Sequence, residues 1–189
     1  MKTIIWDVDD VLNDLMKEWF GKHWLPSHPD CAIRYEDLLE NPPYNILHIT
    51  IDNYRKSLDK FRMTRGSELL PVLEVHDWFK AHGSKFRHIA LTAVPLSLAH
   101  ISAAWVYKYF GLWIRSFNVV PSPRSTDPHF NYDQSKKEYL VWLKKGDIFI
   151  DDNLVNIAGA KDLGIETVII PRPWNKTCGS IYKILQSLE

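Results

Sequence analysis

The sequence predicts an α/β protein: a Rossmann-like three-layer α/β/α core on a five-stranded parallel sheet, with a small helical cap inserted after the first strand. Two observations carry this. Short, continuous β-rich apolar runs alternate with stretches of helical periodicity, the pattern of a parallel sheet covered by helices on both faces. The interval between the first and second runs is about 80 residues, whereas one crossover connection needs only a dozen or more.

Taken in order, the first strand is Thr3 to Trp6. Leu12, Leu15, Met16 and Trp19 then recur at helical spacing, as do Ile51, Tyr54, Leu58 and Phe61, with the breaker Asn41-Pro42-Pro43 between them. Residues 14–64 are read as the cap, leaving 1–13 and 65–189 as the core domain. Pro71 and Gly83 bracket a helix carrying Val72, Val75 and Phe79. The second strand is Phe86 to Leu91. Leu98, Ile101, Trp105 and Tyr109 form the next helical stripe, which Gly111 stops. Phe117 to Val120 is the third strand. A helix opening at Lys136-Lys137 leads to the fourth strand, Asp147 to Ile150. Ile157, Ala160 and Leu163 make a stripe closed by Gly164, and Glu166 to Ile170 is the fifth strand. Ile181, Ile184, Leu185 and Leu188 form a terminal amphipathic helix. The stretch from Thr126 to Tyr132 has no assigned role.

Composition removes several function classes. The 189 residues are 46% hydrophobic, with 23 basic against 23 acidic side chains, so no sequence-wide charge draws the chain to a nucleic-acid polymer or an anionic membrane. Any phosphate it handles must be bound by a local site. Cys31 and Cys178 are the only cysteines, which argues against a disulfide scaffold or a cysteine zinc site and for a reducing, cytoplasmic setting. Ile89 to Tyr107 lacks formal charges, but Thr92, Pro95, Ser97, His100 and Ser102 interrupt it, so it reads as strand, turn and helix rather than a membrane span. The eight histidines, His129 among them, show no metal-ligand spacing.

The chemistry sits where strands end. The first strand runs into Asp7-Val8-Asp9-Asp10-Val11-Leu12-Asn13-Asp14, the second into Thr92-Ala93, and the fourth into Asp151-Asp152-Asn153. In open parallel sheets, ligands bind outside the carboxyl ends of the strands, so these groups are expected at one rim. Two like charges about 4 Å apart cost roughly 4 kcal/mol at an effective dielectric near 20. A carboxylate cluster there calls for a cation, and an all-oxygen donor set calls for Mg²⁺. With Asp7 as nucleophile, Asp9 lies on the same side of the strand exit, where it could protonate a leaving alkoxide and later take a proton from water. Its backbone carbonyl could face the metal. Thr92 and the backbone at Ala93 can donate to phosphoryl oxygens. A lysine is needed for the remaining negative charge. Lys136 and Lys137 are the candidates, and Lys136 is preferred because Tyr139, Leu140 and Leu143 then fall on a packing face.

Asp7-x-Asp9-x-Val11, Thr92, a lysine and Asp151-Asp152, in that order, resemble the four motifs of the haloacid dehalogenase-like phosphohydrolase superfamily. The run Asp7 to Asp14 is most similar to the first motif of the 5'(3')-deoxyribonucleotidases, and the insert after it is similar to their cap. The resemblance implies Mg²⁺-dependent phosphate-ester hydrolysis through an aspartyl-phosphate, with Asp7 as nucleophile and Asp9 as general acid and base. It implies metal ligation by Asp7, the Asp9 carbonyl and the Asp151–Asp152 pair, with Asp152 the direct ligand. The chain departs from the pattern at Asp10, where a small residue is common, and at Ala93, where the deoxyribonucleotidases usually have Ser.

The expected partner is a small phosphate ester, in the first place a nucleotide monophosphate, with a sugar phosphate or other small metabolite as the alternative; a homodimer is left open. Trp19, Phe20, Trp24 and Tyr44 in the cap could stack on a base, although the helical stripe places Trp19 in the cap core. Arg65 and Arg124 could meet phosphate, Arg124 being better placed after the third strand. A phospho-acceptor receiver domain also clusters Asp, Thr and Lys, but its acid pair follows its first strand, whereas Asp151-Asp152 comes last here.

Overall fold

A computed structural model describes residues 1–122, 124 and 131–188; residues 126–130 of the unassigned 126–132 stretch, His129 included, lie outside the described residues. Five strands form one all-parallel sheet: β1 (Thr3–Trp6), β2 (Arg87–Val94), β3 (Ile114–Pro121), β4 (Ile148–Asp151) and β5 (Glu166–Ile169), in the order β3-β2-β1-β4-β5. This is the α/β fold expected. The chain leaves β1 in one direction to β2 and later returns to its other side with β4. The carboxyl ends of β1, β2 and β4 therefore lie side by side at the reversal point of the strand order.

The side-chain alternation of the strands separates two apolar layers. Ile4, Trp6, Ala90, Ile148 and Ile150 face one of them, and Ile5, Ile89, Leu91 and Phe149 face the other. The first layer is covered by helices α4 (Leu73–His82), α5 (Ala99–Phe110) and α8 (Ile181–Gln186); the second by α6 (Lys136–Leu143) and α7 (Leu154–Lys161). The cap residues Met16, Trp19, Leu58 and Phe61 are continuous with the first layer. They lie on α1 (Leu15–Trp19), which runs through a π-helical turn (Phe20–Trp24) into α2 (Leu25–Ser27), and on α3 (Ile51–Arg65), whose Thr50 cap accepts the Asn53 N–H at 3.1 Å.

Two strands run further than their apolar runs. β3 is an edge strand that exposes Arg115 and Ser116, so its polar first half does not read as a continuous buried run. β2 continues to Val94 because Thr92, Ala93 and Val94 pair with Val119, Val120 and Pro121. Pro71 does not open α4: Val72 caps it, and Pro71 instead pairs antiparallel with Asn13, where the Val72 N–H donates to the Leu12 carbonyl at 2.9 Å. The connection leaving β1 and the one entering α4 thus run side by side. No helix among the described residues is long and apolar enough to cross a membrane.

Candidate active site

Asp7 follows directly on the central strand, and its N–H extends the ladder to the Ile150 carbonyl at 2.9 Å. Its Oδ1 accepts from the Val8 N–H at 2.7 Å and lies 2.7 Å from Lys136 Nζ. Lys136 is the first residue of α6, whose N-cap Ser135 accepts the Glu138 N–H at 3.2 Å. Only 2% exposed, its ammonium also donates to Asp151 Oδ2 at 2.7 Å. Asp151 ends β4 and is fully buried. Its Oδ1 accepts from the Asn153 N–H at 2.8 Å, and Asn156 Nδ2 donates to both carboxylate oxygens at 3.2 and 3.1 Å. Asp152 is held by Trp174 Nε1 on Oδ2 at 2.6 Å and by Asn175 Nδ2 on its carbonyl at 2.8 Å.

One oxygen from each of Asp7, Asp151 and Asp152 falls within 4.8 Å of the others. Ionised, these three carboxylates against the one Lys136 ammonium leave two uncompensated negative charges. Burial accordingly raises the Asp7 carboxyl well above its usual range, with Asp151 and Asp152 adding to the effect and Lys136 opposing it. Burial, then the Asp151 and Asp10 charges, push Asp152 up to about 8. Burial pulls Lys136 down, but the Asp151 and Asp7 carboxylates outweigh it and hold the ammonium charged above its ordinary value. Oxygen donors only, a deficit of two charges and a span of this size fit a hard divalent cation such as Mg²⁺. Both oxygens of Asp151 are already occupied by donors. Asp7 Oδ2 and Asp152 Oδ1 accept no hydrogen bond among the described residues.

Asp9 belongs to a different neighbourhood. Its Oδ1 accepts from Asn13 Nδ2 at 3.2 Å, and its Oδ2 from Arg62 Nη2 of α3 at 2.8 Å. Arg62 Nη1 also reaches Asp59 Oδ1 at 3.4 Å, and Asp59 is gripped by Arg124 through Nε at 2.7 Å and Nη2 at 2.8 Å. Arg124 Nη1 donates to the Ser122 carbonyl at 2.8 Å. The acid of the first motif is therefore joined to the cap by a chain of alternating charges. Arg62 was not anticipated; the available signal was a charged residue four positions beyond Leu58, on the apolar stripe of α3.

Asp10 adopts φ of +60°, a conformation glycine takes without penalty, which accounts for the small residue common at this position. Here the side chain does a different job: Oδ1 accepts the Met16 N–H of α1 at 2.9 Å, while the Asp10 carbonyl accepts from Arg172 Nε at 2.6 Å. Burial pushes the Asp10 carboxyl up to about 8, against the opposing Arg172 charge. Arg172 also pairs with Asp14 at 2.7 Å, so the trailing acid of the motif braces the loop.

These groups open onto a cavity of about 270 Å³. Its floor carries Asp7, Asp9, Thr92, Ala93, Lys136 and Asp152. Its roof is α3, through Ile51, Tyr54, Arg55, Leu58 and Arg62, and Arg124 stands at its side. Thus the structure gathers Asp7, Asp9, Thr92, Ala93, Lys136, Asp152 and Arg124 around one space, with Asp151 behind them. Lys137 is not among them: its ammonium lies at the surface, 2.6 Å from Asp162, because the next residue of a helix points about 100° away. Arg65 pairs with Glu68 at 2.7 Å, largely exposed. The aromatics read as a stacking face are also elsewhere. Trp19, Phe20 and Trp24 are buried in the cap, Trp19 donating to Ser57 Oγ at 3.1 Å, and none of these or Tyr44 lines the cavity.

No family model matches the chain, and no curated protein matches it in sequence. Solved structures do resemble it. A hydrolase of Streptococcus pneumoniae TIGR4 superposes with a TM-score of 0.61 at 14% identity, over 100% of this chain and 99% of that one. A haloacid dehalogenase-like family hydrolase of Streptococcus pneumoniae gives 0.57 at 12% identity, over 90% and 85% of the two chains. A HAD-hydrolase of Bacillus subtilis, bound to magnesium, gives 0.56 at 15% identity, over 99% and 96%. The fold of this chain is that of the haloacid dehalogenase-like hydrolases.

Proposed function

We propose that the protein is a Mg²⁺-dependent phosphatase that hydrolyses a small phosphate monoester through an aspartyl-phosphate on Asp7. The observation that carries this is the buried Lys136 ammonium, 2.7 Å from both Asp7 and Asp151, at the floor of a cavity shared with Asp9, Thr92 and Asp152. Asp7 Oδ2 attacks phosphorus, and the bond from phosphorus to the ester oxygen breaks. Asp9 delivers a proton to the leaving alkoxide. A water then attacks the phosphorus, Asp9 accepts its proton, and the bond to Asp7 breaks to release phosphate. The Thr92 hydroxyl donates to a phosphoryl oxygen, while Lys136 holds Asp7 Oδ1 in place and offsets charge developing on the phosphoryl group. Asp7, Asp152 and the Asp9 carbonyl would hold Mg²⁺, with Asp151 orienting Lys136 behind them. When bound, the ion supplies the neutralisation that lets a carboxylate approach a phosphate dianion.

For the substrate, the cavity favours a small phosphometabolite over a nucleotide. Its volume of about 270 Å³ is near the lower end of ligand pockets, about 300–1,000 Å³. Of the roof aromatics only Tyr54 reaches it, and Tyr54 is buried with its hydroxyl against Met16 Sδ at 3.2 Å. The test is a phosphate-release screen with Mg²⁺ across small sugar and acid phosphates, deoxynucleotides and ribonucleotides. Release from small esters that is lost with EDTA and in Asp7→Asn is expected. Release that survives in Asp7→Asn overturns the nucleophile, and a clear preference for nucleotides overturns the substrate class.

A further inference from the structure

Three guanidinium groups line the cavity, Arg55, Arg62 and Arg124, and two are already committed. Arg62 is bound to Asp9 and Asp59, and Arg124 to Asp59 and Ser122. Arg55 is half-buried and makes no ion pair or hydrogen bond among the described residues. Its natural helical partner four residues on, Asp59, is taken by Arg124 through two donors at 2.7 and 2.8 Å. Asp52, three residues before it, is exposed and pairs with nothing among the described residues. Among the described residues on the cap side of the cavity, three permanent positive charges thus stand against Asp9 and Asp59. One full charge is left over, and it belongs to Arg55.

Position adds to the charge count. Ile51, Arg55, Leu58 and Arg62 follow one stripe of α3 along the roof. Arg62 ends on Asp9, at the reacting end, and Arg55 stands about two helical turns further along. A guanidinium cannot relieve its charge by losing a proton, and it presents a planar fork of donors suited to carboxylate or phosphate oxygens. Resting on the phosphatase reading above, we infer that Arg55 receives a second anionic group of the substrate, so that the preferred ester carries a carboxylate or a second phosphate remote from the phosphoryl group that is hydrolysed.

The test uses binding as well as turnover, so that it can be separated from the phosphatase reading. Calorimetric titration of the Mg²⁺-loaded protein would compare propylphosphonate, 3-phosphonopropionate and ethane-1,2-diylbisphosphonate, which share a phosphonate and differ at the far end. At least one of the two doubly anionic ligands is expected to bind about tenfold more tightly than propylphosphonate, the strength of a hydrogen bond to a charged partner; which one does so distinguishes carboxylate from phosphate. In Arg55→Gln that ratio should collapse toward one. The ratio of kcat/KM for a matched pair of esters, with and without the second anion, should collapse with it, whereas a general folding defect would lower both members of a pair and leave the ratio standing. Equal affinity for all three ligands, or a ratio unchanged in Arg55→Gln, overturns the inference. Selective binding without phosphate release from any ester would instead sink the phosphatase reading and leave the inference intact.

Discussion

The floor and the roof of the cavity are built from the same residue types and balanced differently. On the floor, three buried carboxylates meet a single ammonium, and Lys136 and Asp151 have almost no contact with water. From the floor up to the roof, Asp9, Arg62, Asp59 and Arg124 alternate in sign and are between 11% and 20% exposed. With all three carboxylates ionised the floor is short of positive charge, whereas the chain of pairs above it is balanced among the described residues. On the proposed reading the strand ends supply chemistry that depends on a cation, and α3 with Arg124 supplies a frame of paired charges beside which Arg55 makes no pair among the described residues. That reading assigns chemistry and selection to different parts of the fold.

The largest expected effect breaks the floor. Asp7→Asn should lower Mg²⁺-dependent phosphate release by about 10⁴-fold or more, with the circular dichroism spectrum unchanged; single-turnover release measures it. Asp9→Asn touches both halves and should slow turnover by roughly 10²–10⁴-fold, the usual contribution of a general acid, while Mg²⁺ affinity by calorimetry stays close to wild type. Near-normal turnover would remove Asp9 from that role. Lys136→Met leaves the floor carboxylates without their partner and should destabilise the protein by about 3–5 kcal/mol, read from urea midpoints in EDTA. Arg62→Gln releases Asp9 from the cap and should reduce kcat/KM by about tenfold. If Arg62→Gln matched Asp9→Asn in severity, the separation of floor and roof would fail.

A separate expected effect is a pH dependence of the metal-free protein. Asp152 and Asp10 are both pushed up to about 8, chiefly by burial, from an unfolded value near 4. The folded state then holds more protons than the unfolded chain between these values, so stability falls as pH rises from about 4 to 8. Melting temperatures in EDTA should decline across that window, and Mg²⁺ should raise them most at its alkaline end. A flat profile in EDTA would show that these acids do not titrate as their burial dictates.

The placement of the floor residues was legible in the sequence because it is set locally. Asp7, Thr92 and Asp151-Asp152 each follow an apolar run, and parallel-sheet topology alone brings such ends together. Even the choice of Lys136 over Lys137 followed from which neighbours must face the sheet. The roof was not legible. Arg62 meets Asp9 only because α3 folds back over β1, a contact 53 residues long in sequence. Trp174 and Asn156, which fix Asp152 and Asp151, carry no motif. The cap aromatics misled for a related reason: Trp19, Phe20 and Trp24 announce bulk, but only packing decides whether bulk fills a core or lines a cavity.

The antiparallel pairing of Asn13 with Pro71 has a mechanical corollary. Because both tethers of the cap leave the core at one point, a swing of α3 would turn about a pivot next to the acid. Asn13 is itself part of that pivot and holds Asp9 at 3.2 Å. Displacement grows with distance from a fulcrum, so Arg55 would travel further than Arg62 in any opening, and on the proposed reading the far end of a bound ester would be freed before its phosphoryl end.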